Sequence, residues 1–175
     1  IVTDTKARSF FLNISNTKSK LEIGKITKLN NNLNSTKVLD TLVIGDIIFT
    51  SYIEDKNNCR NFLISRAKIK NKSLIYEEFF REDKCAGFIQ GGRMQQFTFE
   101  NKQGLIFSIA DNLADQPNND PQSDNSNFGK IIFKSFDKEK KIVFSKGHRN
   151  PQGLLVLDEV ILETEHGPMG GDEIN

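Results

Sequence analysis

The chain has 175 residues, 24 Lys and Arg against 23 Asp and Glu, and 37% apolar residues. That length suits one ordinary domain with a core of its own, and the even charge balance excludes the basic excess of a nucleic-acid surface. No apolar run is long enough to cross a bilayer as a helix, and the opening "IVTDTKARSFFLNIS" lacks the charged, apolar, small order of a signal peptide.

In chain order, the apolar runs are short and rich in Phe, Ile, Val, Leu and Thr. They are "RSFFLNI" (8–14), "EIGKITKL" (22–29), "TKVLDTLVI" (36–44), "DIIFTSYI" (46–53), "RNFLISRAKI" (60–69), "SLIYEEFF" (73–80) and "MQQFTFE" (94–100). "GLIFSIA" (104–110), "GKIIFKSF" (129–136), "KIVFSK" (141–146), "GLLVL" (153–157) and "VILETE" (160–165) follow. Their separators, among them "NNNLNS", "EDKNN" and "FDKEK", are turn-formers. Runs at this spacing, with no amphipathic helix, predict an all-β protein. "FTFENKQGLIFSIAD" and "GKIIFKSFDKEKKIVFSKG" read as hairpins. The long polar stretch 111–127 reads as a flexible surface loop. It fails the EF-hand test, because the fifth position from Asp124 is Phe128.

Hairpin after hairpin fits a sandwich, a barrel or a propeller. Unevenly spaced loops rich in functional residues favour a β-propeller of four-stranded antiparallel blades. At roughly 40 to 50 residues per blade, residues 1–175 would hold about three to four blades, a partial domain within a larger protein. Cys59 and Cys85 have no CxxC spacing, so zinc and thioredoxin-type readings lack support. Two separate thiols or one disulfide between neighbouring loops remain open, the second requiring an oxidising compartment.

The chain closes on "GHRNPQGLLVLDEVILETEHGPMGGDEIN" (147–175), where polar clusters flank two strand-like runs. Loops held on a rigid β scaffold are a usual place for a site. "GHRNPQGL" followed by "TEHGPMGGDEIN" resembles the signature of the glucose/sorbosone dehydrogenase family, which includes quinoprotein aldose sugar dehydrogenases. "QGGRM" (90–94) is similar to the family's His-x-Gly-Gly-Arg-Leu segment. "NFGKII" (127–132) is similar to its Leu-Gly-Lys-Ile-Leu strand, and "GLIFSIAD" resembles a strand ending in Gly-Asp. The resemblance is clearest over 46–175.

The resemblance implies a six-bladed propeller in the family, with pyrroloquinoline quinone and calcium bound where blade loops meet. An aldose or other carbohydrate and an electron acceptor are the implied partners, and a periplasmic or secreted location the implied compartment. It assigns Arg149, Asn150, Gln152, His166 and Asp172 to the cofactor, and Gly167 and Pro168 to the metal. The chemistry suits these roles. Arg149 offers a charged fork for carboxylates, Asn150 and Gln152 offer neutral donors and acceptors, and calcium accepts backbone carbonyls. The competing structural readings are an Arg149 pairing with Asp172 or Glu165, and side chains of Asn150 and Gln152 that only brace a turn.

One departure bears on catalysis. The family's general base is the His four residues before the arginine; here the arginine is Arg93 and that position is Ile89, which cannot take a proton. No catalytic residue is therefore assigned. Glu82, Asp83 and Lys84 lie just upstream and read as a solvated charged turn. General-base assistance contributes roughly a hundred- to ten-thousandfold in rate, so a non-catalytic propeller, binding carbohydrate or serving as a scaffold, is the alternative.

Overall fold

The computed structural model describes residues 2–17, 20–70, 73–87, 90–112, 121–158, 160–167 and 170–175, with backbone alone for 2, 11–17, 20–27 and 69. Apart from a 3-10 position at Gly170, the regular structure among these residues is β-strand. β1 (Val2–Thr3), β2 (Ser9–Thr17) and β3 (Lys20–Asn31) form an antiparallel lead-in. Next come β4 (Lys37–Ile44), β5 (Ile47–Lys56), β6 (Cys59–Lys70), β7 (Ser73–Leu74) and β8 (Glu77–Arg81). β4, β5, β6 and β8 pair antiparallel in that order, which makes a first blade, and β7 links β6 to β3.

β9 (Gly91–Phe99), β10 (Lys102–Ile109), β11 (Lys130–Ser135) and β12 (Lys141–Lys146) form the second blade. β13 (Pro151–Leu157), β14 (Val160–Glu165) and β15 (Glu173–Ile174) form three strands of a third. The first strands of the three blades lie side by side, with β9 between β4 and β13. This is the expected all-β architecture, a partial β-propeller.

The turns follow from local chemistry. Asn57–Asn58 joins β5 to β6 and Glu100–Asn101 joins β9 to β10, all four residues with positive φ. Two-residue hairpin loops prefer that conformation because its twist matches the strands. The run 73–80 is not one strand. Asn32 donates to the Tyr76 carbonyl (3.2 Å) and accepts from the Tyr76 N–H (2.7 Å), which takes those groups out of the ladder and separates β7 from β8.

Side-chain alternation decides which blade each residue serves. Leu105, Phe107 and Ile109 of β10 pack with Phe49, Phe62, Phe79 and Phe80 of the first blade. Ile106, between them, faces the third blade with Ile131 and Leu154, flanked by Phe97, Phe144, Val156 and Ile161. β13 and β14 are apolar on both faces: Leu155, Leu157, Val160 and Leu162 are exposed on the side away from the second blade. Strands buried on both faces carry such continuous apolar runs.

The open question about the thiols is settled: Cys59 and Cys85 form a disulfide with Cα atoms 5.0 Å apart. It ties the start of β6 to the 82–87 segment, beside an Arg60–Ala86 bridge. The expected charged turn there is only partly solvated. Glu82 is 3% exposed and is held by Asn127 and the Lys84 N–H. The disulfide spans 26 residues, so a Cys59→Ser/Cys85→Ser variant should lose about 3–4 kcal/mol in denaturant unfolding, by loop entropy. A loss below about 1 kcal/mol would show that the pair is not bonded or that the reduced loop stays closed.

The stretch expected to be a flexible loop divides. Residues 113–120 lie outside the described residues. From Pro121 the chain is tied down: buried Lys130 donates to the carbonyls of Pro121 and Phe128, and Asp124 pairs with Lys146 at 2.9 Å.

Candidate functional site

Two strand starts and two strand ends deliver the residues singled out in the sequence to one place. Gln90 precedes β9, Asp111 follows β10, Arg149 to Gln152 enter β13, and His166 follows β14. Gly91 and Gly92 let β9 begin there. Both have φ near +80°, and a Cβ on Gly92 would stand 2.8 Å from the Leu39 side chain. Ser51 donates to the Gly92 carbonyl at 2.6 Å, locking the turn.

Arg93, two residues inside, is a strut. Its Nε donates to the Gln152 carbonyl on β13 (2.8 Å), and a terminal nitrogen donates to the Leu39 carbonyl on β4 (3.0 Å). One side chain thus joins the first strands of three blades. Its resemblance-based place beside the catalytic position carries a structural task here. Ile89 itself, like Phe88, lies outside the described residues.

The Arg149 backbone is fixed from both sides. Its N–H donates to Glu165 Oε2 (2.9 Å) and its carbonyl accepts from the Asp111 N–H (2.8 Å). The alternative in which Glu165 pairs with the guanidinium does not hold. Glu165 takes the backbone instead, and the guanidinium makes no ion pair with any described residue. Burial pushes the Glu165 carboxyl above its ordinary range, against the lowering effect of the Arg149 N–H.

Asn150 and Gln152 form a relay. Gln152 Nε2 donates to Asn150 Oδ1 (2.6 Å), and Asn150 Nδ2 donates to Gln90 Oε1 (3.0 Å). The Asn150 carbonyl accepts from the His166 N–H (3.1 Å), which brings the two C-terminal motifs together. These amides brace the loop and present it; the bracing reading holds for the contacts they make within the protein.

Gly167 and Asp172 meet beside these residues. The Gly167 N–H donates to Asp172 Oδ1 (3.2 Å), and the same oxygen lies 3.5 Å from His166 Nδ1. A Cβ on Gly167 would stand 1.7 Å from the Gly171 carbonyl oxygen, so only glycine allows that approach. Pro168 lies outside the described residues, so its assignment to a metal is carried by sequence alone.

Residues 38–175 match the family described as Glucose / Sorbosone dehydrogenase. The chain belongs to the glucose/sorbosone dehydrogenase family. The match starts in β4, the first strand of the first blade, and leaves out the β1–β3 lead-in. No curated protein matches the chain.

The clustering of His148 with Glu163 and Glu165 was not anticipated from the sequence. "ETE" in β14 held a clue, since residues two apart share a strand face. Nothing in the sequence places a histidine from another segment opposite them.

Proposed function

We propose that this glucose/sorbosone dehydrogenase family member binds pyrroloquinoline quinone and calcium at the Arg149–Asp172 site and oxidises an aldose. One observation carries the reading: Arg149 has a pinned backbone and a guanidinium that makes no ion pair among the described residues, and the next residue's carbonyl holds the His166 N–H. A planar, permanent cation positioned in advance suits a polycarboxylate.

The residues present fit such a group. Asn150 and Gln152 stand within one loop of Arg149 with neutral polar groups to spare, and Asp172 adds negative charge near a cation position at Gly167. When bound, the quinone supplies a two-electron acceptor. This chain's residues then bind and orient: Arg149 takes the carboxylates, and the Gln90–Asn150–Gln152 relay keeps Asn150 in one rotamer. An electron acceptor would be needed to reoxidise the bound group, and a periplasmic or extracellular location agrees with the Cys59–Cys85 disulfide.

Ile89 favours the alternative, a propeller that keeps the cofactor loop without turnover. The test is calorimetric titration of the quinone with calcium into the full-length protein, followed by dye-linked aldose oxidation. Saturable binding with turnover supports the dehydrogenase. Binding without turnover leaves the inactive propeller, and no binding removes the proposal. Gly167→Ala should weaken calcium-dependent quinone binding at least about tenfold by pushing Gly167 and Gly171 apart; unchanged affinity would remove Gly167 from the site.

A further inference from the structure

Apart from the cofactor loop, a second polar cluster lies in the cleft between the second and third blades. The cleft has a volume of about 480 Å³. Ile131, Phe144 and Ile161 line it together with His148, Glu163 and Glu165. We infer that His148, Glu163 and Glu165 form a binding site for a divalent transition metal of the zinc class, separate from the proposed calcium and quinone site.

The convergence of acceptors is the first ground. His148 Nδ1 lies 3.6 Å from Glu163 Oε2 and 3.6 Å from Glu165 Oε2. Those separations exceed the hydrogen-bond range, whose upper end is about 3.2 Å for N–H···O. They approach the roughly 3.4 Å edge between ligands at about 2.1 Å from a tetrahedral zinc. Candidate ligand atoms of the three residues all lie within 4.8 Å of one another.

The second ground is independent of the clustering. The Glu163 side chain is 4% exposed, and its Oε1 has no hydrogen-bond partner among the described residues. A buried carboxylate oxygen without a partner is costly, and a cation at this position would satisfy it. The lysine lining the cleft, Lys146, is drawn toward Asp124 at 2.9 Å.

The surroundings hold the donors as a metal site requires. His148 Nε2 and Ser145 Oγ are 2.6 Å apart, and a hydrogen bond from Nε2–H to that oxygen leaves the Nδ1 lone pair facing the carboxylates. Metal-bound imidazoles are oriented in this way by a partner on the other nitrogen. Glu165 Oε2 is fixed by the Arg149 N–H (2.9 Å) and Glu163 Oε2 by Asn175 Nδ2 (3.1 Å). Glu163 and Glu165 share a face of β14, and His148 comes from the segment after β12. One imidazole with two carboxylates selects transition metals over calcium and magnesium, which prefer all-oxygen shells. Three protein ligands leave a fourth position open toward the cleft.

The test uses the full-length protein stripped with a chelator, then titrated with Zn²⁺, with Co²⁺ as a spectroscopic substitute. One equivalent of Zn²⁺ should bind, and Co²⁺ should give the intense visible absorption of four-coordination. His148→Gln and Glu163→Gln should each weaken Zn²⁺ at least about a hundredfold, since loss of a mere supporting partner already costs 10- to 100-fold. Ser145→Ala should weaken it about tenfold by freeing the imidazole, and covers the case in which a ligand variant does not fold. His166→Asn should leave Zn²⁺ affinity unchanged, which separates this site from the proposed calcium site. Absence of stoichiometric Zn²⁺ in the unmodified protein, or equal Zn²⁺ affinity in folded His148→Gln and Glu163→Gln, would overturn the inference.

Discussion

Arg93→Ala is expected to lower the unfolding free energy by about 3–4 kcal/mol, because each hydrogen bond from a charged donor contributes about 1.5–3 kcal/mol. Two such bonds disappear together, one to the Leu39 carbonyl of β4 and one to the Gln152 carbonyl of β13. Both hydrogen bonds are partly buried where β9 lies between β4 and β13, so water replaces the lost donor only in part. The change should also loosen the cofactor loop, since Gln152 anchors Asn150 and Asn150 anchors Gln90. Arg93→Lys should recover only part of the loss, because an ammonium cannot span two carbonyls on opposite sides as a planar fork does. Denaturant unfolding of the three proteins measures this. An Arg93→Ala loss below about 1 kcal/mol would mean that the blades are joined by their apolar contacts alone.

Arg149→Ala is the second large effect, and it should have the opposite signature. Quinone affinity should fall roughly a hundredfold or more, as expected when a charged bidentate contact worth about 3 kcal/mol is removed. Stability should hardly move. The hydrogen bonds that fix residue 149 run from its backbone to Glu165 and Asp111, and alanine keeps both. Thermal unfolding alongside calorimetric titration separates the two arginines: Arg93→Ala destabilises, Arg149→Ala mainly disables binding. A large drop in melting temperature for Arg149→Ala would instead assign the guanidinium a structural pairing. Quinone binding of ordinary affinity in a well-folded Arg149→Ala would remove Arg149 from the proposed site.

The site occupies strand ends while the blades supply rigidity. Arg149 and His166 flank the β13–β14 hairpin and Gln90 comes from some sixty residues earlier, yet each lies within two residues of a strand whose register is fixed by buried neighbours. Leu154 and Ile161 hold the third blade against Ile106 and Ile131. A one-residue slip in β13 would turn Leu154 outward and swing the Arg149–Gln152 segment with it. The apolar contacts between blades therefore set the geometry of the polar loop.

The sequence by itself determined the β character, the hairpins and the family. Alternating apolar runs with turn residues between them encode strands locally, and neither long-range contact nor ligand is needed to read them. "GHRNPQGL" and "TEHGPMGGDEIN" marked the loop for the same reason, since each motif is contiguous. Only the tertiary structure decided the rest. The pairing of Cys59 with Cys85 depends on β6 and the 82–87 segment meeting, and the strut role of Arg93 depends on β4 and β13 flanking β9. The junction of His148 with Glu163 and Glu165 depends on the second and third blades packing face to face. The dividing line is physical: periodicity and turn chemistry act within a few residues, whereas these contacts exist only once hydrophobic burial has stacked the blades.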